Sequence, residues 1–286
     1  MIAWRLGSAL TIAALFIASC ESTASHDHDA GRLGSIAGPV VPVGGGGEAP
    51  GLVLRMIELA GGKSAPVVVI PAASSLTDAG RSTVAMWQRY GCTDVILWSP
   101  ASSVDADLDA SIVALKRARV VWFGGGSQER IMTLLQSTKA LDAIRDAHRH
   151  GAVVGGTSAG AAVLGEIMMI RGAPEGAIAP DRIPVAPGLG VLPDFIVDQH
   201  LLARARIPRL LSVLPAYPRM KGLGLEERTA AIIHGSTIEI VGAGQAVLYQ
   251  PISSAVADMP APTTRPLWRI PDARISILLP GDRVVR

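Results

Sequence analysis

The residues Gly156-Thr157-Ser158-Ala159-Gly160 form a G-x-S-x-G pattern, which can present a serine hydroxyl for nucleophilic attack. They follow Ala152-Val153-Val154-Gly155, an apolar run, and precede Ala161–Met169, a stretch without proline that is expected to be helical as far as Ile170. Strand, sharp turn and helix are the setting that gives this pattern chemical meaning. Glycines permit the tight turn, and the serine is left at a helix N-terminus. There the next backbone N–H, that of Ala159, and the helix dipole favour negative charge on an attacked carbonyl oxygen. The implied chemistry is acyl transfer with Ser158 as nucleophile.

Such a serine needs a base, and the base needs an acid to orient it. The chain has six histidines. His26 and His28 lie in a polar N-terminal stretch. His148 and His150 end a basic helical stretch and read as surface residues that complement a helix C-terminus. His234 closes a strand before Gly235-Ser236. His200 closes the strand-forming run Phe195-Ile196-Val197-Asp198-Gln199, where a ring can sit at a sheet mouth. It is the expected base. Arg204, Arg206 and Arg209 follow it. Arginine grips carboxylates through two parallel hydrogen bonds, so the trio suggests an acidic substrate group. A solvated basic face is the competing explanation, because Arg204 and Arg206 face different ways on a regular helix. Glu226-Glu227, in the glycine-containing stretch Gly222–Ala230, can supply the orienting acid or be ordinary loop charges.

The elements that must position these groups alternate. Short continuous apolar runs at Pro66–Ile70, Val95–Trp98, Val120–Phe123, Ala152–Val154 and Ala230–His234 read as strands. Helical patterns lie at Gly51–Ala60, Ala79–Tyr90, Ser111–Lys116, Gln128–His150 and Gly160–Ile170. This alternation predicts an α/β fold, a mainly parallel sheet with helices on both faces. Thr237–Tyr249 reads as antiparallel strands turning at Gly242-Ala243-Gly244. The loops Ala72–Ser75, Gly124–Ser127 and the Ser158 turn all follow strand ends, where such sheets bind ligands. Gly44–Gly47 lacks the Lys-Ser/Thr of a phosphate loop and reads as a flexible turn near a strand end. The apolar run Ile275–Leu279 has no assigned place.

The N-terminus has one positive charge, at Arg5, and then runs apolar from Leu6 to Ala18. That is short for a membrane span and fits a secretory leader over residues 1–19. It closes on Ile17-Ala18-Ser19-Cys20, which resembles a bacterial lipobox and implies lipid attachment at Cys20. The expectation is therefore an exported chain held on a bacterial membrane by its lipid. Residues 20–38 are polar and irregular, including His26-Asp27-His28-Asp29, and read as a solvated tether rather than a metal site. Residues 39–286 fit one α/β domain. The only other cysteine, Cys92, has no partner if Cys20 is acylated, and reads as a small buried hydrophobe. A net charge of +2 without a clustered basic stretch gives no sign of a nucleic-acid partner, and none is expected. No metal or cofactor is expected.

Phe123-Gly124-Gly125-Gly126-Ser127-Gln128, Gly156–Ala161, Asp198-Gln199-His200 with its arginines, and Gly222–Ala230 together resemble the cyanophycinases. These belong to a serine-peptidase family that also holds the aspartyl dipeptidases. Gly61-Gly62-Lys63 with Val67–Ser74 looks like the family's first strand and loop, and the likeness spans about Gly44 to Tyr249. The resemblance implies a doubly wound fold like that of class I glutamine amidotransferases, with serine in place of their cysteine. It implies Ser158 as nucleophile, His200 as base and Glu227 as acid, with Glu226 and Glu175 as lesser candidates. Gly126 and Ala159 would supply the oxyanion amides. Gln128, Asp198, Gln199, Arg204, Arg206 and Arg209 would line the pocket for a β-linked Asp-Arg unit. Ser127 departs from the family, which usually has Asp before the Gln.

Three functions compete. The first is a serine exopeptidase that releases β-Asp-Arg dipeptides from cyanophycin, a poly-aspartate with arginine on each side-chain carboxylate. The second keeps the mechanism but acts on short acidic or isoaspartyl peptides. The third is a catalytically silent surface binding protein, which should have lost Ser158, His200 or Glu227, and none is lost. The expected partners are a peptide or cyanophycin and the membrane; a homodimer stays open.

Overall fold

Continuous β-branched runs with no polar face must be covered on both sides. The computed structural model describes residues 37–76, 78–170, 183–252 and 273–286, and in it five such runs lie parallel. They are β1 (Val40–Val43), β2 (Val67–Ile70), β3 (Val95–Leu97), β4 (Val120–Phe123) and β5 (Val153–Thr157), side by side in the order β1-β5-β4-β2-β3. Helices α1 (Leu52–Ala60) and α2 (Arg81–Arg89) follow β1 and β2. Helices α3 (Ser103–Ala106) and α4 (Asp109–Arg117) follow β3, and α5 (Gln128–Leu135) and α6 (Lys139–Arg149) follow β4. Val67, Val69, Val120 and Trp122 pack with α1 and α2, while Val68, Ile70, Val121 and Phe123 pack with α4 to α6. The chain steps outward under one set of helices and returns under the other, as right-handed crossovers demand.

The Ser158 turn leads from β5 into α7 (Ala159–Ala162), followed by β6 (Ile167–Met169), β7 (Val185–Pro187) and β8 (Phe195–Gln199). Then come α8 (Ile207–Val213), β9 (Lys221–Leu225), β10 (Thr229–His234), β11 (Thr237–Gly242), β12 (Ala246–Pro251), β13 (Ala273–Leu278) and β14 (Arg283–Val285). β10, β11 and β14 extend the main sheet antiparallel from β1, giving eight strands among the described residues. β8, β9, β12 and β13 form a second sheet, in which β8 and β9 run parallel. The described residues fall within one compact unit, Ser35–Arg286.

Several expected elements differ. The helix expected over Gln128–His150 is two helices, broken where Ser137 takes a left-handed φ of 63° and Thr138 caps α6 through Oγ1 to the Leu141 N–H. The helix expected over Gly160–Ile170 stops after one turn, because Gly165 bridges to Leu192 and Ile167–Met169 pairs with Val185–Pro187. The strands in Thr237–Tyr249 do not pair with each other. β11 belongs to the main sheet and β12 to the second, so the glycine turn carries the chain between sheets. Ile275–Leu279, unplaced in the sequence, falls largely in β13 on the edge of that second sheet. His148 is buried rather than on the surface, with its Nε2 2.8 Å from the Gly38 carbonyl. Burial pushes its pKa down. Cys92 is buried, and desolvation pushes its thiol up, as an inert thiol requires.

The turn after β5 requires its flanking glycines. A Cβ on Gly160 would lie 2.4 Å from the Phe123 carbonyl oxygen, and one on Gly156 would lie 2.6 Å from the Gly160 backbone. Gly160→Ala should therefore destabilise the protein by about 1–3 kcal/mol through forced backbone shifts. Urea unfolding of the variant against the parent measures this, and an unchanged midpoint would show that the turn has slack.

Candidate active site

Ser158 sits at φ 54°, ψ −113°, a strained conformation for a residue with a side chain and one that costs on the order of 1–3 kcal/mol. The surroundings enforce it. The Ser158 N–H donates to the Val43 carbonyl at 3.0 Å, and its own carbonyl accepts from the Ala161 and Ala162 N–H groups. The hydroxyl is thereby lifted off the end of β5. Its Oγ lies 2.9 Å from His200 Nε2, and His200 Nδ1 lies 2.6 Å from Glu227 Oε1. With the ring protonated at Nδ1, His200 donates to Glu227 and leaves Nε2 to accept the serine proton.

His200 and Glu227 reach the serine from the second sheet, at the ends of β8 and β9. The loop after β1 holds them there. The Gly44 carbonyl accepts from the His200 N–H at 2.8 Å, and the Gly45 carbonyl accepts from the Arg228 N–H at 2.7 Å. His200 and Arg228 both take left-handed φ values, 51° and 55°. A Cβ on Gly45 would stand 2.3 Å from His200 Cε1, and one on Gly46 2.5 Å from Glu227 Cβ. The glycine run expected to be a flexible turn is thus a cradle for base and acid. Sequence reasoning found its place at a strand end but missed that employment, and the run of four glycines was the only signal.

Of the three acid candidates, Glu227 meets the ring. Glu226 turns the other way, accepting from the Leu202 and Ala203 N–H groups at 2.5 and 3.1 Å. Burial pushes its carboxyl up, but the N–H groups of Glu227, Leu202 and Ala203, with His200 nearby, outweigh this and hold it below the ordinary carboxylate value. Its hold on the turn is full at neutral pH and is lost as pH falls through that lowered pKa. Glu175 lies outside the described residues, as do Cys20, the leader 1–19 and most of the tether 20–38.

Of the two residues expected to supply oxyanion amides, Ala159 directly follows the serine. Ala159 is the first residue of α7, so its N–H is one of the helix's leading donors. Gly126 lies in the loop after β4, packed on Ala73, while Gly125 approaches Ser158 Cβ. The loops after β2, β4 and β5 therefore converge, as expected. Gln128 opens α5 and donates through Nε2 to the Met169 and Ile170 carbonyls at 2.7 and 2.6 Å, fixing the end of β6.

The residues expected to bind substrate divide. Residues 200–205 form turns rather than a helix, with Ala205 at φ 50°. Asp198 and Arg209 are a correction: they are buried, and the Asp198 carboxylate takes hydrogen bonds from Arg209 Nε at 3.0 Å and from Nη2. With its carboxylate bound to a buried guanidinium, Asp198 anchors α8 to β8 instead of facing a ligand. Gln199 is likewise occupied, since Arg206 Nη1 donates to its carbonyl at 2.8 Å and to its Oε1 at 2.6 Å. Arg206 Nε is buried with no acceptor among the described residues. Desolvation, then the neighbouring Arg209, push its pKa down to about 10, so it stays cationic at neutral pH. Arg204 is exposed beside it. Among the described residues, no group of three or more His, Cys, Asp or Glu side chains could hold a metal.

A strand–turn–helix serine joined by hydrogen bonds to histidine and glutamate defines a site of the serine-hydrolase kind. Residues 44–241 match the model of Peptidase family S51, and the chain belongs to that family, as a serine-type peptidase. It is 33% identical over 234 residues to a cyanophycinase of Synechococcus elongatus, covering 81% of this chain and 73% of that one. It is 32% identical over 247 residues to one of Geminocystis herdmanii, covering 82% and 88%. A peptidase from an acI-B1 actinobacterium superposes with a TM-score of 0.61 at 18% identity, covering 88% of this chain and 98% of that one. The expected doubly wound fold of the class I glutamine amidotransferase kind holds.

Asp198→Ala removes the carboxylate that pairs with the buried Arg209 guanidinium, which should cost about 3–5 kcal/mol of stability. A thermal melt checks this. A Tm unchanged from the parent would return Asp198 to the role of a substrate contact.

Proposed function

We propose that the chain is a serine exopeptidase that cleaves cyanophycin to β-Asp-Arg dipeptides through an acyl-enzyme. The observation that carries the chemistry is the hydrogen-bonded line Ser158–His200–Glu227. As Ser158 Oγ attacks the scissile carbonyl carbon, its proton passes to His200 Nε2, and Glu227 stabilises the imidazolium. The oxyanion gathers at the Ala159 and Gly126 amides. Collapse expels the leaving amine, which takes the proton from His200. Water then loses a proton to His200 and attacks the ester, and the proton returns to Ser158 as the acid leaves.

The substrate assignment draws support from cationic Arg206 with its unpaired Nε, from exposed Arg204, and from relatives named cyanophycinase. Ser127, where the family usually has Asp, favours the second reading, a peptidase for short acidic or isoaspartyl peptides. Incubating the purified protein with insoluble cyanophycin should release β-Asp-Arg, identified by mass spectrometry. Release from isoaspartyl peptides alone would move the assignment to the second reading. Ser158→Ala should lower kcat by about four to six orders of magnitude with the fold intact. Near-parental turnover would end the serine mechanism.

We also propose that the chain is exported and lipid-anchored at Cys20, which suits scavenging of an external polymer because a cell's own granules are cytoplasmic. Among the described residues no helix is long and apolar enough to cross a membrane. Mass spectrometry of the native N-terminus should show acylated Cys20, and Cys20→Ser should release the protein from the membrane. An unlipidated N-terminus elsewhere rejects the anchor.

A further inference from the structure

The connector between β9 and β10 carries two consecutive carboxylates that go to different partners. Glu227 meets the His200 ring through Oε1 at 2.6 Å. Glu226 Oε2 instead accepts from the backbone N–H groups of Leu202 and Ala203, at 2.5 and 3.1 Å. One carboxylate thus holds the ring of the base, and its neighbour holds the turn that follows the base. The connector is itself pinned, with the Glu226 N–H on the Gln245 carbonyl at 3.0 Å and the Arg228 N–H on the Gly45 carbonyl at 2.7 Å.

The turn at residues 200–205 is fixed to the second sheet at its start. The Leu201 N–H donates to the Leu225 carbonyl at 3.1 Å, and the Leu201 side chain is buried over Gly224, where a Cβ would stand 2.6 Å from its Cδ1. Bonds inside the turn give it shape without tying it to the sheet. They run from the Arg204 N–H to the His200 carbonyl and from the Ala205 N–H to the Leu202 carbonyl, both at 3.0 Å. The Glu226 carboxylate supplies the tie at Leu202 and Ala203, and an ionised acceptor makes the stronger kind of hydrogen bond. Burial opposes that charge, but the N–H groups of Glu227, Leu202 and Ala203 keep the carboxyl below its ordinary value. Arg204 follows Ala203 directly, whereas Arg206 is held separately by Gln199. A tilt of the turn therefore displaces Arg204 first.

Resting on the peptidase reading above, we propose that Glu226 is a positioning residue, which sets the turn bearing Arg204 and thereby how tightly the acidic end of the substrate is held. Bond breaking is spared, because the Gly44 and Gly45 carbonyls hold His200 and Arg228 without it. An interaction made equally in the ground state and the transition state shows in KM and not in kcat.

Kinetics of the full chain on a short soluble oligomer of β-Asp-Arg units test this through a double-mutant cycle with Arg204. Glu226→Ala should raise KM about tenfold, the loss of one charge-assisted contact, with kcat within about threefold of the parent. Arg204→Ala should do the same, and the double variant should be no worse than either, because both remove one contact. Glu226→Gln puts an amide oxygen where Oε2 stands and should bring KM back to within about threefold of the parent. Additive losses in the double variant, an unchanged KM, or a fall in kcat in its place overturn the positioning role. So does a Glu226→Gln chain as impaired as Glu226→Ala. A parent chain that cleaves no oligomer defeats the peptidase reading alone, and a binding cycle then decides. Calorimetric titration with N-acetyl-aspartate should show about tenfold weaker binding by Glu226→Ala, with no further loss when Arg204→Ala is added. Additive losses there, or no binding by the parent, overturn the positioning role.

Discussion

The two backbone hydrogen bonds that the Gly44 and Gly45 carbonyls accept from His200 and Arg228 are the constraint on which the site depends. The nucleophile belongs to the main sheet, while the base and the acid belong to the ends of the second. Nothing in either sheet's own ladder fixes the distance between them. The glycine loop after β1 does so, because it follows the strand that also holds Ser158 through the Val43 carbonyl. One short segment therefore touches all three members of the catalytic line. The strained serine and the left-handed histidine persist because this network over-determines them.

Around this clamp, buried charge does structural work. Asp198, two residues before the histidine, and Arg209, nine residues after it, pair with each other and tie β8 to α8. Buried Gln199 accepts from half-buried Arg206, one of whose guanidinium nitrogens is unpaired. The arginines that looked equivalent in sequence thus form a gradient, from interior anchor at Arg209, through partly committed Arg206, to exposed Arg204.

Much of this was legible in the residues. The strands at Val67–Ile70 and Val120–Phe123 announced a sheet covered on both faces by their unbroken apolar character, and the serine turn announced itself by its glycines. His200 could be found by eliminating the other histidines. What stayed hidden depends on partners distant in sequence. The pairing of Asp198 with Arg209 is invisible because a charged residue beside a base looks the same whether it faces ligand or core. The separation of β11 from β12 was hidden because a glycine turn between two strands reads as a hairpin, whichever sheets the strands join. His148 was misread because helix-end histidines are commonly solvated, and only the path of the chain at Gly38 covers it.

Only three residues separate the end of the second-sheet strand β9 from the start of the main-sheet strand β10, and Glu227 is the middle one. The acid is therefore at a seam, with the base on one side of it and the nucleophile on the other. A shear of about 1 Å between the sheets would leave each ladder intact while costing catalysis on the order of a hundredfold. The site thus works as a gauge of how the two sheets are seated, and heat or denaturant should silence it while both sheets still keep their secondary structure.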